Sequence, residues 1–74
     1  MTKVMFDYRA LEGKIKEYYD TQDNFALAIP MSRSTLNQKL QNKVDFTSKN
    51  IYAISKLLNI NDSDIGKYFF TQKV

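Results

Sequence analysis

The sequence contains no cysteine, no histidine and no tryptophan among its 74 residues. Without cysteine, a disulfide framework and a zinc–thiolate site are excluded. Without histidine, the commonest general base and metal ligand is also missing. Acids such as Glu12 and Glu17 are five positions apart and are typical of surface charges. We therefore expect no enzyme activity, no metal and no cofactor.

Long apolar runs are absent as well. None approaches the roughly 20 residues of a membrane span, and residues 1–5 are too short and too polar for a signal peptide. The sequence thus predicts a cytoplasmic protein, with neither a membrane partner nor an evident small-molecule ligand. A chain of this length forms one domain, residues 1–74, whose small core a partner chain can help to stabilise.

Positive charge is concentrated in the middle of the chain, although the net charge is only +3. No acid stands between Phe25 and Val44. Residues 25–60 contain one acid, Asp45, against the basic residues Arg33, Lys39, Lys43, Lys49 and Lys56. This distribution attracts a polyanion, although a solvated surface explains the charge alone equally well.

Apolar spacing predicts an all-α fold of five helices. Asp7 is a suitable N-cap for the first helix, which is interrupted at Asp20. The second covers residues 22–28, with Thr21 as its N-cap, and Pro30 stops it. Ser32, Thr47 and Asn61 are placed to cap the third, fourth and fifth helices. The predicted inward residues are Tyr8, Leu11, Ile15, Tyr18 or Tyr19, Phe25, Ala26, Ile29, Leu36, Leu40, Ile51, Ile54, Leu57, Leu58, Ile65 and Phe69.

The aromatic tail, residues 67–74, is predicted to be a short strand or an extended arm. Two interpretations of it are equally supported. It either packs on its own domain or serves as a dimerisation or docking segment.

The second and third predicted helices carry the functional signal. Ala26 is small enough to let the third helix cross closely, as in a helix-turn-helix. The outer face of the third helix carries amide, hydroxyl and guanidinium groups but no acid, and these groups match base edges in the major groove. This favours DNA binding over a plain helical bundle and over aromatic stacking on single strands.

The stretches FDYRALEGKI, TQDNFALAI, SRSTLNQKLQNK and KYFFTQKV resemble small phage regulators of low-GC Gram-positive hosts. The helix-turn-helix part resembles the DNA-binding domain of the phage Cro and CI repressors. The resemblance implies a five-helix, lambda-repressor-like domain in a phage- or prophage-encoded repressor. It also implies a homodimer that binds double-stranded operator DNA. One departure from the family pattern is Pro30, where the superfamily usually has glycine.

Carried onto this chain, the resemblance implies two sets of site residues. The base-contacting set is Ser32, Arg33, Ser34, Asn37 and Gln38. The phosphate-contacting set is Thr21, Gln22, Lys39, Lys43, Thr47, Ser48 and Lys49. The strongest alternative is an antirepressor, a protein-interaction module that binds another regulator and does not need an acid-free recognition face.

Overall fold

The helices begin at residues whose side chains cap them in the computed structural model, which describes residues 5–29 and 31–73. Thr21, Ser32 and Thr47 each accept a hydrogen bond at 3.1 Å from the backbone N–H three residues later. The Asn50 side chain also accepts the Thr47 N–H at 3.1 Å, which completes a capping box. These bonds satisfy N–H groups that a helix start leaves unpaired. Three of the five predicted caps are thus confirmed. The predicted cap Asn61 is wrong, because the fifth helix begins after Asp64 and the Asn61 side chain forms no capping bond.

The described residues form five α-helices, a 3₁₀ turn and no β-strand. They are α1 (Arg9–Tyr19), α2 (Gln22–Ala28), α3 (Arg33–Leu40), α4 (Ser48–Leu57), the 3₁₀ turn (Asp62–Asp64) and α5 (Ile65–Phe69). The all-α prediction and the bounds of α2 are confirmed. Helix α1 begins later than predicted because Tyr8 occupies its N-cap, although Asp7 Oδ1 still accepts the Arg9 N–H at 3.0 Å. The predicted stop at Pro30 lies outside the described residues.

Three helix ends are followed by a residue in the left-handed region. The φ angles are 70° at Asp20, 65° at Asn42 and 56° at Asn59. Asp and Asn adopt this conformation more readily than other residues with a Cβ. The interruption predicted at Asp20 is therefore confirmed, and the third and fourth helices end before Asn42 and Asn59 for the same local reason.

The core lies where α1, α2, α3 and α5 meet, with α4 packed against α5. Its largest fully buried side chains include Phe25 and Phe69. The buried apolar set is Tyr8, Leu11, Ile15, Phe25, Ala26, Ile29, Leu36, Leu40, Ile54, Leu58, Ile60 and Phe69. The predicted inward residues Ile51, Leu57 and Ile65 pack against this core while keeping part of their surface exposed.

The tail pairs with the segment that precedes α1. Phe6 and Gln72 form an antiparallel bridge. It is flanked by hydrogen bonds from the Asp7 N–H to the Thr71 carbonyl at 2.7 Å and from the Lys73 N–H to the Met5 carbonyl at 2.8 Å. One bridge does not make a strand, so residues 71–73 form an extended arm held by their own domain, whereas residues 67–69 of the predicted tail belong to α5.

Asn42 closes the other edge of this pairing. Its carboxamide accepts the Phe6 N–H at 2.8 Å and donates to the Phe6 carbonyl at 2.9 Å. It therefore takes the place of a neighbouring strand.

Aromatic rings pack beside this pairing. The rings of Phe6 and Phe70 lie edge to face with their centroids 5.7 Å apart, and the Phe46 ring centroid lies 5.2 Å from that of Tyr8 and 5.5 Å from that of Phe69. Burial raises the pKa of the Tyr8 hydroxyl, and the Asp45 charge adds to the effect.

Among the described residues, no helix has the length and apolar character needed to cross a membrane.

Candidate functional site

The outer face of α3 presents most of the predicted base-contacting residues. Ser34 and Gln38 are exposed on the side of α3 away from Leu36 and Leu40, and Asn37, at the border of that side, is partly buried. Arg33 is exposed as the first residue of the helix. Ser32 lies just before them as the helix cap. Its hydroxyl accepts the Thr35 N–H at 3.1 Å and donates to Thr35 Oγ1 at 2.9 Å. The five residues thus lie together on α3 and its N-cap.

A carboxylate lies on this face, although α3 itself has none. Asp23 in α2 places its Oδ1 2.8 Å from Arg33 Nε. The Asp23 side chain is 77% exposed and that of Arg33 is 46% exposed. The ion pair occupies part of the guanidinium, and the exposed carboxylate would repel an approaching phosphate. The face is therefore mixed in charge, which suits a protein surface better than a DNA backbone.

Leu27 adds an apolar side chain to the same part of α2. It is 86% exposed and lies one helical turn after Asp23, so the two share a helix face. The sequence analysis missed it, although a signal was present. Leu27 falls outside the inward set Phe25, Ala26 and Ile29, and an apolar residue left over from that set must face solvent or a partner.

Lys39 is placed differently from the other predicted phosphate contacts. Only 6% of it is exposed, and its Nζ donates to the Asp45 carbonyl at 2.8 Å. The ammonium also lies 6.0 Å from the centroid of the Phe46 ring. It therefore joins α3 to the loop before α4, and its charge is not available at the surface.

At the start of α2, the predicted phosphate contacts are Thr21 and Gln22. The Thr21 hydroxyl is the α2 cap. The Gln22 Oε1 atom is buried and has no hydrogen-bond partner among the described residues. Neither group is directed freely to solvent.

The remaining predicted phosphate contacts lie between α3 and the first turn of α4. Thr47 is the α4 cap, while Ser48 and Lys49 are exposed in the first turn. Lys43 is exposed in the turn after α3, where its N–H donates to the Gln38 carbonyl at 2.9 Å. The cations exposed in this region are thus Lys43 and Lys49.

Together, the fold and this face define a small helical domain with a mixed, partly apolar surface. The chain belongs to the family described as Protein of unknown function (DUF739), whose model matches residues 4–72. A comparison with proteins of curated function finds no match.

Among solved structures, the chain is similar to the modulator of repression (MOR) of the temperate bacteriophage TP901-1 from Lactococcus lactis, determined in solution. The two are 43% identical, the match covers 88% of each chain, and the TM-score is 0.79.

These findings correct four predictions. The family is not that of Cro or CI repressors, so that identification is wrong. The predicted function, a repressor bound to its operator, is wrong, and with it the predicted partners, operator DNA and a second copy in a DNA-bound dimer. The prediction that this protein is DNA-binding and a repressor is therefore also wrong, whereas the predicted link to phages agrees with the similar structure. The acid-free face on which the DNA-binding prediction depended also does not persist in the fold, because α2 brings the Asp23 carboxylate to Arg33.

Proposed function

We propose that this protein binds another transcriptional regulator and modulates its action, as a protein-interaction module without catalytic activity. The observation that carries the proposal is the similarity to a modulator of repression along nearly the whole chain. The surface agrees with this function. It combines an exposed leucine, an ion pair and several amide and hydroxyl groups, a mixture common at protein–protein contacts.

The contact face in this proposal includes Leu27 and the outer residues of α3. Part of the predicted base-contacting set and part of the predicted phosphate-contacting set belong to this contact face. Arg33, Ser34, Asn37 and Gln38 contact the partner protein around Leu27, while Lys43 and Lys49 supply charge nearby. Leu27 is the anchor because it contributes the apolar area that drives association.

Three finer features belong to the same proposal. Helices α2 and α3 form a helix-turn-helix within a lambda-repressor-like arrangement, which is supported by their order and mutual packing. Residues 1–74 act as one domain, in which the tail packs on its own domain through its pairing with the segment before α1. The protein works in the cytoplasm of a bacterial host, where the regulator is found.

The test uses isothermal titration calorimetry with a purified phage repressor as the binding partner, the class of regulator that the name of the similar structure implies. We expect the wild-type chain to bind it and to lower its affinity for operator DNA. Leu27→Asp should weaken binding by about tenfold or more, because a charge replaces the apolar anchor. Ser63→Asp is the matched control: it makes the same charge change at an exposed position in the 3₁₀ turn, and binding should be unchanged.

If the wild-type chain does not bind the repressor, the proposed function is wrong. If it binds and Leu27→Asp binds equally well, the function stands and the contact face lies elsewhere on the molecule.

A further inference from the structure

Helix α4 exposes an aromatic ring between two lysines. Lys49, Tyr52 and Lys56 are three, four and seven positions apart, so they fall within one narrow stripe of the helix. Tyr52 is 67% exposed, and both lysines are exposed. We call these three residues the α4 stripe. The opposite face of α4, with Ile54 and Leu58, is buried in the core.

The charges of the α4 stripe are not compensated within the described part of the chain. Neither Lys49 nor Lys56 forms an ion pair there. The Lys56 Nζ lies 5.2 Å from the centroid of the Tyr52 ring. Helix α4 contains no acidic residue. The stripe is thus a positive surface with an apolar centre.

A second lysine–tyrosine pair, on α1, provides a comparison. Lys14 Nζ lies 5.2 Å from the centroid of the Tyr18 ring, as in the α4 stripe. Lys14 also forms an ion pair with Glu17 at 3.9 Å, and Tyr18 is 45% exposed. The α1 pair is therefore partly neutralised by its own helix, whereas the α4 stripe has no such acid on its helix.

We propose that the α4 stripe docks on an acidic surface of the regulator, one that presents carboxylates on either side of an apolar residue. This inference rests on the proposed function and names the chemistry of its partner. Two carboxylates about 10 Å apart would match the seven-residue separation of Lys49 and Lys56 along the helix. An apolar side chain between them would cover Tyr52, a residue type enriched at the centres of protein interfaces.

Charge and ring geometry favour this occupant over two others. An isologous contact with a second copy through the stripe would bring lysines against lysines, which is repulsive. A nucleic acid strand would need a free ring face on which its bases could stack. Tyr52 is the single aromatic residue of α4 and has the Lys56 ammonium over one face of its ring, so the stripe offers no series of rings for successive bases. A protein carboxylate can pair with that ammonium while an apolar neighbour covers the rest of the ring.

The test compares binding of the same purified repressor to three forms of the full chain. These are the wild type, the stripe variant Lys49→Glu/Lys56→Glu and the control Lys67→Glu/Lys73→Glu. The control makes the same change in net charge at two exposed positions near the C-terminus. We expect the stripe variant to bind about thirtyfold more weakly and the control to change less than about threefold. Tyr52→Ala should weaken binding about tenfold. Circular dichroism checks that each variant is folded.

Salt provides a second measurement. The affinity of the wild type should fall as salt rises, and that of Lys49→Gln/Lys56→Gln should fall less steeply. Equal binding by the stripe variant and the wild type would overturn the inference while leaving the proposed function intact. Equal weakening by the control would also overturn it, since net charge alone would then be responsible.

Two further outcomes would assign the stripe to another occupant and overturn the inference. One is loss of binding to random-sequence duplex DNA in the stripe variant, with no loss of repressor binding. The other is a wild-type dimer in sedimentation that the stripe variant dissociates. If the wild type does not bind the repressor at all, the proposed function fails and the inference falls with it.

Discussion

The Asp23 carboxylate of α2 lies 2.8 Å from the Nε atom of Arg33, the first residue of α3. This ion pair joins two helices across the turn between them. It argues against the predicted role of α3 in reading bases, because Arg33, which seemed suited to bonding guanine, already has a carboxylate partner. A face that appears purely basic and polar along the sequence is of mixed charge in the folded chain.

The Asp23–Arg33 pair should contribute little to stability. Both side chains are substantially exposed, so water and salt screen the attraction. In a double-mutant cycle of Asp23→Ala, Arg33→Ala and the double variant, we expect a coupling free energy of about 0–1 kcal/mol from urea unfolding. A coupling above about 2 kcal/mol would contradict the screened, exposed character of the pair.

Asn42 should matter far more to the free energy of unfolding than its place in a turn suggests. Asn42→Ala removes both bonds to Phe6, each worth about 1 kcal/mol net. It also places alanine at a φ of 65°. Alanine has a Cβ but lacks the polar side chain that makes the left-handed conformation accessible to asparagine, which costs about another 1 kcal/mol. We expect a loss of about 2–4 kcal/mol in urea unfolding.

The control for this prediction is Asn42→Gly. Glycine tolerates the left-handed conformation but cannot bond Phe6, so it should recover about 1 kcal/mol relative to alanine. If alanine and glycine are equally destabilising, the backbone conformation contributes nothing. If neither is destabilising, the pairing between Asn42 and Phe6 does not hold the N-terminal segment.

The contact between Asp7 and Arg9 should make the stability of the fold depend on pH in the acid range. Hydrogen bonds from the Arg9 side chain, and next from its backbone N–H, lower the pKa of Asp7 from 3.8 to about 2. Because the pKa in the folded chain is the lower one, the stabilising contribution is complete above the ordinary pKa. It is lost as pH falls through the folded pKa, in a window from about pH 4 to about pH 2.

A carboxyl NMR titration measures this shift directly. Arg9→Gln should raise the pKa of Asp7 toward its ordinary value, because it removes the charged donor. Lys16→Gln, an exposed change later in the same helix, should leave the pKa where it is. A pKa near 4 in the wild-type chain would contradict the contact between Asp7 and Arg9.

Local features of the fold could be predicted because local physics decides them. Thr21, Ser32 and Thr47 cap helices through bonds to their own next turn, and Asn42 and Asn59 follow helix ends for reasons of backbone conformation. These interactions span three or four residues, so the sequence shows both partners.

The surface could not be predicted in the same way. Lys39 looked like one more exposed cation, yet its stem is buried and its ammonium bonds the Asp45 carbonyl. Leu27 was left out of the predicted inward set, but its spacing could not show that it is almost fully exposed. Whether a side chain is exposed depends on which elements cover it, and that depends on contacts between residues distant in sequence.

By itself, then, the sequence determined the helices, three of their five caps and most of the core, since each follows from spacing along one segment. Only the tertiary structure decided the character of the surface. It placed Asp23 in an ion pair with Arg33 and buried Lys39, whose ammonium donates to the Asp45 carbonyl. It also brought Asn42 into hydrogen bonding with Phe6, 36 positions earlier. The physical reason is that electrostatic and hydrogen-bond partners are chosen by distance in space, which the packing of the helices sets.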